Sequence, residues 1–142
     1  MKNYTYSKQE IDRNDINEVI KTLKGELITQ GNKIIKFEKT LSTKFGSKYC
    51  TAVSSGTAAL HLAGFALNWN EDDIILTSPI TFLASSNAAL YHKCIPDFVD
   101  IDDQTYTIDC NKLEDKIKNT RKRNKLVKSV IGVDYAGHPC DW

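Results

Sequence analysis

The sequence predicts an α/β fold in which a mainly parallel sheet lies between helices. From Tyr49 onward, short apolar runs alternate with segments of helical periodicity, the pattern of strands joined by crossover helices. Residues 74–76 are all isoleucine or leucine, as in strands buried on both faces. With 142 residues, 41% of them hydrophobic, the chain is long enough to form a core of its own.

Two helices are predicted to precede the sheet. Apolar side chains at helical spacing indicate a first helix that begins behind Asn14 and Asp15 and stops at Gly25; they are Ile16, Val19, Ile20 and Leu23. A second apolar face predicts a helix that ends at Gly46; its residues are Ile34, Phe37, Leu41 and Phe45. We expect residues 1–48 to form an N-terminal helical segment.

The remaining elements form the first part of a sheet-bearing domain over residues 49–142. Strands are predicted at residues 49–53, 74–77, 95–99 and 126–134, and helices at residues 57–67, 81–91 and 112–117. The last predicted strand is followed by only a short segment that ends at Trp142, whereas a buried parallel strand needs a covering helix. We therefore expect the chain to be the N-terminal part of a longer enzyme, or to pair with another chain.

The stretch "VSSGTAAL" is the first candidate site. An apolar run ends there, Gly56 permits a tight turn, and a helix begins near Thr57. The first N–H groups of a helix lack internal acceptors and lie at the positive end of its dipole, so they favour an anion such as phosphate. An ordinary capped helix start explains the same residues. The glycine spacing and the absence of a Gly-Lys-Ser or Gly-Lys-Thr sequence exclude Rossmann and Walker motifs.

The second candidate is Phe82, in "TSPITFLASSNAAL". Pro79 ends a predicted strand and a helix is expected to start near Thr81, which would place Phe82 in the first helical turn, at the carboxyl edge of the sheet. Open α/β sheets bind ligands at that edge, and the ring could present a flat face to an aromatic ligand. The alternative is an ordinary core phenylalanine.

Five segments, in their order and spacing, resemble the DegT/DnrJ/EryC1/StrS family of sugar aminotransferases. They are "LITQG", "FEKTLSTKFGSKYCTAVSSGTAALHLA", "ILTSPITFLASSNAALY", "PDFVDIDDQTYTID" and "VIGVDYAGHPCDW". The resemblance implies the large domain of fold type I, with pyridoxal 5'-phosphate (PLP) as cofactor. It implies that the backbone of Thr57 and Ala58, after the Gly56 turn, binds the cofactor phosphate and that Phe82 stacks on the pyridine ring.

The resemblance also implies a reaction and its substrates. The segments "YSK", "LITQG" and "VDYAGHPCDW" are most similar to transaminases of pseudaminic acid biosynthesis, which implies transfer of an amino group from L-glutamate to C4 of a UDP-linked 4-keto-6-deoxy sugar. Thr29 and Gln30 match a segment near the active site, and His138 lies in a loop that could face the substrate. Family members are usually homodimers, so we expect dimerisation of the whole protein.

The catalytic lysine of the family is not among these residues. A PLP transaminase needs a lysine that holds the cofactor and moves a proton, and an acid at the pyridine nitrogen. The family motifs that carry them, of the types Asp-x-x-His-Ala and Ser-Phe-His-x-x-Lys, do not occur in residues 1–142. We therefore expect these residues alone to be inactive. A sugar 3-dehydratase of the same family, with histidine for the lysine, and a non-catalytic chain remain alternatives.

Other functions find little support. A net charge of +1 gives no bulk attraction to nucleic acid or membranes, and the basic run at residues 116–128 is typical of a solvated helix end. Neither a metal motif nor a calcium loop is present, and His61 and His92 are expected to be structural. The four cysteines are expected to be free thiols. No apolar run approaches the roughly 20 residues of a spanning helix and no signal peptide is visible, so a cytoplasmic location is expected.

Overall fold

A computed structural model describes residues 8–142, which form two compact units. The first unit comprises residues 8–52 and the second Val53–Trp142. Tyr6 and Ser7 of the "YSK" segment lie outside the described residues. The domain boundary after residue 48 stays a prediction for the whole protein.

The first unit contains the two predicted helices, α1 (Arg13–Leu23) and α2 (Asn32–Phe45). Helix α1 begins earlier than predicted because Asp12 is the N-cap, and its carboxylate accepts hydrogen bonds from the N–H groups of Asn14 (2.6 Å) and Asp15 (3.0 Å). The Asp15 carboxylate accepts the Asp12 N–H in return, a reciprocal cap that satisfies helix donors otherwise without partners. Helix α2 ends at Gly46 as predicted, in the left-handed conformation (φ 63°) that glycine adopts readily.

Glu18 joins the two helices of this unit. Its carboxylate accepts hydrogen bonds from the ammonium groups of Lys21, 2.7 Å away in the same helix, and of Lys33 in α2. The paired cations lower the pKa of Glu18 to about 2, because they stabilise the charged carboxylate.

The second unit is a three-stranded parallel sheet with helices on both faces. Its elements are α3 (Gly56–Ala66), β1 (Ile74–Thr77), α4 (Ala84–Tyr91), β2 (Ile95–Phe98), α5 (Cys110–Lys122), β3 (Val127–Ile131) and a short 3₁₀ helix (Tyr135–Gly137). The strand order is β2-β1-β3, with Thr77 opposite Phe98 on one side and Ile131 on the other. All pairings are parallel, which confirms the α/β prediction.

The central strand β1 divides the core into two halves. Ile75 packs on one face of the sheet with Trp69, with Ala88 and Ala89 of α4, and with Cys94. Ile74 and Leu76 pack on the other face, since successive side chains of a strand point to opposite sides. Their partners include Val99, Ile108 and Cys140, and Leu113 of α5 packs against them. Both faces of β1 are therefore buried, as its apolar sequence predicted.

Several predicted boundaries were wrong. Residues 49–53 form no strand, because no strand among the described residues pairs with them; the Ala52 N–H donates instead to the Glu38 carboxylate at 2.8 Å. Strand β3 is shorter than predicted because its partner β1 ends at Thr77, opposite Ile131. Helix α5 is longer because Asp109 caps it, accepting N–H groups two and three residues ahead.

Candidate functional site

The start of α3 carries unused hydrogen-bond donors. Ser55 is the N-cap, in an extended conformation (φ −162°, ψ 162°), and its hydroxyl oxygen accepts the N–H of Ala58 at 3.2 Å. The N–H of Ala59 donates to the Ser55 carbonyl. Within residues 8–142, the N–H groups of Gly56 and Thr57 have no acceptor. Two donors without an internal acceptor thus lie at the positive end of this helix, which favours an anion.

Space beside these donors is open. A Cβ atom built on Gly56 meets no atom within 4 Å, and the residue lies outside the left-handed region. Nothing in the described part of the chain therefore requires a glycine at this position. A glycine here leaves the backbone free for close approach by a group outside the chain.

Helices α3 and α4 begin at the same edge of the sheet. They pack side by side, with the imidazole of His92, just after α4, against Gly64 near the end of α3 and its Nε2 3.0 Å from the carbonyl oxygen of His61. The two helices therefore run in the same direction. Helix α4 follows the carboxyl end of β1 after a short connection, so both helix N-termini lie at the carboxyl edge of the sheet, where α/β enzymes bind ligands.

Phe82 lies in that short connection, two residues before α4 and not in its first turn as predicted. The chain turns at this point because the Phe82 carbonyl accepts the Ser85 N–H at 3.0 Å, and the hydroxyl groups of Thr81 and Ser85 bond at 2.7 Å. The Phe82 side chain is 78% exposed. It therefore contributes no packing to the core of this unit, and its ring faces open space.

His138 follows the carboxyl end of β3 and borders a separate cavity. Its N–H donates to the carbonyl of Tyr135 at 2.9 Å, and the side chain is exposed. The cavity has a volume of about 300 Å³, and its walls come from residues 102–111 and 138–141. Most of these residues are polar, including Asp102, Asp109 and Asp141. The structure thus places His138 against the connection between β2 and α5.

Thr29 and Gln30 belong to the first unit, in the turn between α1 and α2. Both are exposed, and Gln30 has a left-handed backbone (φ 55°). The turn holds Gln30 in a conformation that costs energy for a residue with a Cβ. Its position as a substrate contact stays a prediction.

Sequence reasoning missed the role of Ser55 at the candidate phosphate site. The resemblance implied donors at Thr57 and Ala58, after the Gly56 turn; here the Ala58 N–H donates to the Ser55 hydroxyl, and its role at a phosphate stays a prediction. The structure leaves Gly56 and Thr57 as the free pair. A serine three residues before an expected donor is the signal for such a cap, and "SSGTA" contains it at Ser55.

Metal sites and membrane-spanning helices are two further features to consider. Among residues 8–142, no group of three or more histidine, cysteine, aspartate or glutamate side chains is placed to hold a metal ion. No helix in the described part of the chain is long and apolar enough to cross a membrane.

The layered sheet places the second unit in the class of α/β enzymes of fold type I, to which the solved structures that it resembles belong. The chain itself is a member of the DegT/DnrJ/EryC1/StrS aminotransferase family, whose model matches residues 9–142. Members of this family depend on PLP, as the resemblance implied.

Two curated members of the family are similar to this chain in sequence. The chain is 40% identical over 134 residues to the UDP-4-amino-4,6-dideoxy-N-acetyl-beta-L-altrosamine transaminase of Campylobacter jejuni, a match that covers 94% of this chain and 34% of that enzyme. It is 39% identical over 113 residues to the GDP-perosamine synthase of Escherichia coli O157:H7, covering 80% of this chain and 29% of that enzyme. The chain thus spans about a third of the length of these relatives.

Solved structures agree in fold. Spr1654 from Streptococcus pneumoniae, solved in apo, PMP and PLP forms, matches with a TM-score of 0.82 at 30% identity over 99% of this chain and 34% of its own. The GDP-4-keto-6-deoxy-D-mannose-3-dehydratase of Escherichia coli, solved with hydrated PLP, matches with a TM-score of 0.73 at 26% identity over 80% of this chain and 31% of its own. The solved structures that this chain resembles therefore include both a sugar aminotransferase and a sugar dehydratase.

Proposed function

We propose that this chain forms the N-terminal part of the PLP site of a nucleotide-sugar aminotransferase. The enzyme would move an amino group from L-glutamate to C4 of a UDP-linked 4-keto-6-deoxy sugar. The observation that carries the proposal is the pair of free N–H groups at the start of α3, at the same sheet edge as the exposed ring of Phe82. The similarity to the Campylobacter transaminase supports the choice of sugar.

The start of α3 suits the cofactor phosphate. The N–H groups of Gly56 and Thr57 would donate to phosphate oxygens, and a hydrogen bond to a charged group is stronger than one to a neutral acceptor. The Ala58 N–H can join them only if the Ser55 hydroxyl shares or releases it, since the two now lie 3.2 Å apart. The residues present therefore fit a phosphate. The N–H groups of Gly56 and Thr57 are free to donate to it, and the N–H of Ala58 could do so once the Ser55 hydroxyl releases it.

Phe82 would hold the cofactor ring. Its exposed side chain can lie against a pyridine ring in an offset stack, an interaction worth about 0.5–1.5 kcal/mol beyond the buried area. PLP, when bound, supplies the electron sink on which amino-group transfer depends. The Phe82 side chain would shield one face of the pyridine ring from water and fix the orientation of that ring.

The substrate contacts are proposed on the family pattern. Thr29 and Gln30 would contact substrate from the first unit, and His138 from the segment after β3. The exposed imidazole of His138 can donate or accept a hydrogen bond, which suits a hydroxyl-rich sugar. We infer further that the whole protein is a cytoplasmic homodimer, as is usual in the family.

The 142 residues alone are proposed not to transaminate. They supply the N–H groups at the start of α3 for the phosphate and the Phe82 side chain for the cofactor ring. Neither the lysine motif nor the acid motif of the family occurs in them. Without a group to move the proton, the amino transfer lacks its acid–base step. A purified preparation of these residues that turned over glutamate, with no longer chain present, would contradict this.

A dehydratase is the second candidate. The match to a sugar 3-dehydratase with bound PLP supports it, because the residues that differ between the two reactions belong to the motif that these 142 residues do not contain. Product analysis separates the two: a transaminase yields an amino sugar from glutamate, and a 3-dehydratase yields a 3-deoxy sugar.

A single substitution at position 56 tests whether the free N–H groups at the start of α3 bind the cofactor phosphate. In the protein expressed from the complete reading frame, Gly56→Pro removes one free N–H, and a proline at the first helical position is well tolerated. The extended backbone of Ser55 also fits the residue before a proline. We expect PLP affinity to fall by about 10–100-fold, the value of one hydrogen bond to a charged group.

Gly56→Ala is the matched control, since it keeps the N–H and its Cβ meets no atom within 4 Å. Equilibrium dialysis and the phosphorus NMR shift of PLP measure the effect without an activity assay. A proline variant that binds PLP as tightly as the parent protein would show that the phosphate binds elsewhere, and an equal loss in both variants would attribute the effect to the added side-chain carbons rather than to the lost N–H. Glutamate-dependent turnover with a UDP-linked keto sugar then tests the reaction itself.

A further inference from the structure

Two cysteines thirty positions apart lie in adjoining segments of the second unit. Cys110 is the first residue of α5, and its thiol lies 3.8 Å from the carbonyl oxygen of Asp141. The thiol of Cys140 donates to the Val133 carbonyl at 3.4 Å and contacts the backbone N–H of Ile108. Each sulfur thus touches the backbone within two residues of the other cysteine.

The two thiols differ in access to solvent. Cys110 is exposed and lines the cavity of about 300 Å³ that His138 also borders. Cys140 is only 6% exposed and packs with Ile108. An oxidant from solvent therefore meets Cys110 first, and Cys140 is the thiol next to it.

The other cysteine of the second unit is badly placed to compete. Cys94 is buried on the opposite face of the sheet, in the cluster around Ile75, whereas Cys140 belongs to the cluster around Ile74 and Leu76. Cys50 belongs to the first unit. Within the second unit, geometry thus favours one pairing.

We propose that Cys110 and Cys140 form a reversible disulfide when the protein meets hydrogen peroxide. In the first step the Cys110 sulfur attacks the peroxide, an S–O bond forms, the O–O bond breaks, and water leaves. In the second step the Cys140 sulfur attacks the resulting sulfenic acid, an S–S bond forms, the S–O bond breaks, and a second water leaves. The two thiols lose two electrons and two protons in total, and the peroxide gains both.

The environment of Cys140 excludes it from the first step. Burial and the nearby Asp134 carboxylate raise the pKa of its thiol, so it reacts poorly with peroxide itself, and its proton must leave as it attacks the sulfenic acid of Cys110. Its backbone is fixed, since the Cys140 N–H donates to the Asp134 carboxylate at 2.9 Å. A disulfide requires Cα atoms within about 7 Å of each other, and each sulfur already contacts the backbone within two residues of the other cysteine.

The bond would tie the segment after β3 to the start of α5. That segment carries His138, so oxidation would fix the wall of the cavity that His138 borders. The disulfide forms or fails independently of whether the protein is a transaminase, because it needs only the two sulfurs and peroxide.

The experiment counts thiols and maps the bond in the full chain. After brief peroxide treatment and denaturation, we expect the number of titratable thiols to fall by two, and reduction to restore both. Peptide mapping without reductant should yield one linked pair, Cys110 with Cys140.

Two variants sharpen the test. Cys110→Ser should lose no titratable thiol under the same treatment, whereas Cys94→Ser should still lose two. An unchanged thiol count in the parent chain, a pairing that involves Cys50 or Cys94, a link between two copies, or stepwise oxidation to sulfinic acid would each overturn the proposal. The mapping of the parent chain decides the question even if a variant fails to fold.

Discussion

The indole N–H of Trp69 donates a hydrogen bond to the hydroxyl oxygen of Ser129, 2.8 Å away. The bond connects the residue just beyond α3 to strand β3, across sixty positions of sequence. Trp69 is only 7% exposed, so its N–H has little access to water as an alternative partner. This contact therefore fixes the end of α3 against the sheet.

Ser129→Ala should reduce the free energy of unfolding by about 1–3 kcal/mol, because it leaves a buried donor without an acceptor. The double variant with Trp69→Phe should cost less than the sum of the two single changes, since it removes both partners. Urea unfolding of the four proteins in this cycle measures the coupling. Strictly additive costs would show that the bond contributes nothing.

Gly64→Ala should destabilise the protein although alanine is the better helix former. A Cβ at this position would lie 2.5 Å from Nε2 of His92 and 2.7 Å from the Trp69 ring, and such overpacking typically costs about 1–3 kcal/mol. The gain in helix propensity is only about 1 kcal/mol, so the packing cost is expected to prevail. Gly56→Ala, at the first position of α3 and with open space around its Cβ, is the control and should leave the free energy of unfolding unchanged or raise it by up to about 1 kcal/mol.

Phe82→Ala should weaken cofactor binding without affecting folding. The side chain is 78% exposed, so the midpoint of urea unfolding should stay within experimental error. PLP affinity of the whole protein should fall by about 2–13-fold, the equivalent of the 0.5–1.5 kcal/mol of an aromatic pair. Phe82→Tyr should retain the affinity. Leu83→Ala, at a neighbouring side chain that is 65% exposed, should bind PLP normally; an equal loss there would point to a general effect of the loop.

Glu18 should titrate far below an ordinary glutamate. Its pKa is lowered from 4.5 to about 2 by the ammonium groups of Lys21 and Lys33. Since the folded-state pKa is the lower one, the stabilisation is complete above pH 4.5 and is lost as the pH falls through 2. Carbon NMR of the side-chain carboxyl group measures the midpoint. Lys33→Met should raise it, whereas Lys36→Met, which removes a lysine outside the pair, should not.

Elements with local signals were predicted well. Strand β1 matches its prediction because a short apolar run between polar segments leaves few alternatives, and α2 ends at Gly46 because only glycine adopts the left-handed cap without cost. The strand at residues 49–53 was wrong because a strand depends on a neighbour from elsewhere in the chain. Pairing is tertiary information, and apolar periodicity does not contain it.

The candidate site was predicted in outline only. The expectation that the first N–H groups of α3 can bind an anion follows from helix physics and from the residues "SSGTA", and it stays a prediction. The identity of the free donors does not follow from the sequence, since it depends on which way the Ser55 hydroxyl turns. The position of Phe82 before α4 likewise depends on hydrogen bonds of Thr81 and Ser85 that no periodicity encodes.

The position of β1 between β2 and β3 has a consequence for synthesis on the ribosome. Strand β1 is complete at Thr77, but its second partner begins only at Val127. At roughly 5–20 residues per second, the nascent strand waits about 3–10 s for the residues that cover its open side. During that interval an apolar strand edge is available to other chains, so this stretch of the nascent polypeptide is where a chaperone would be most useful.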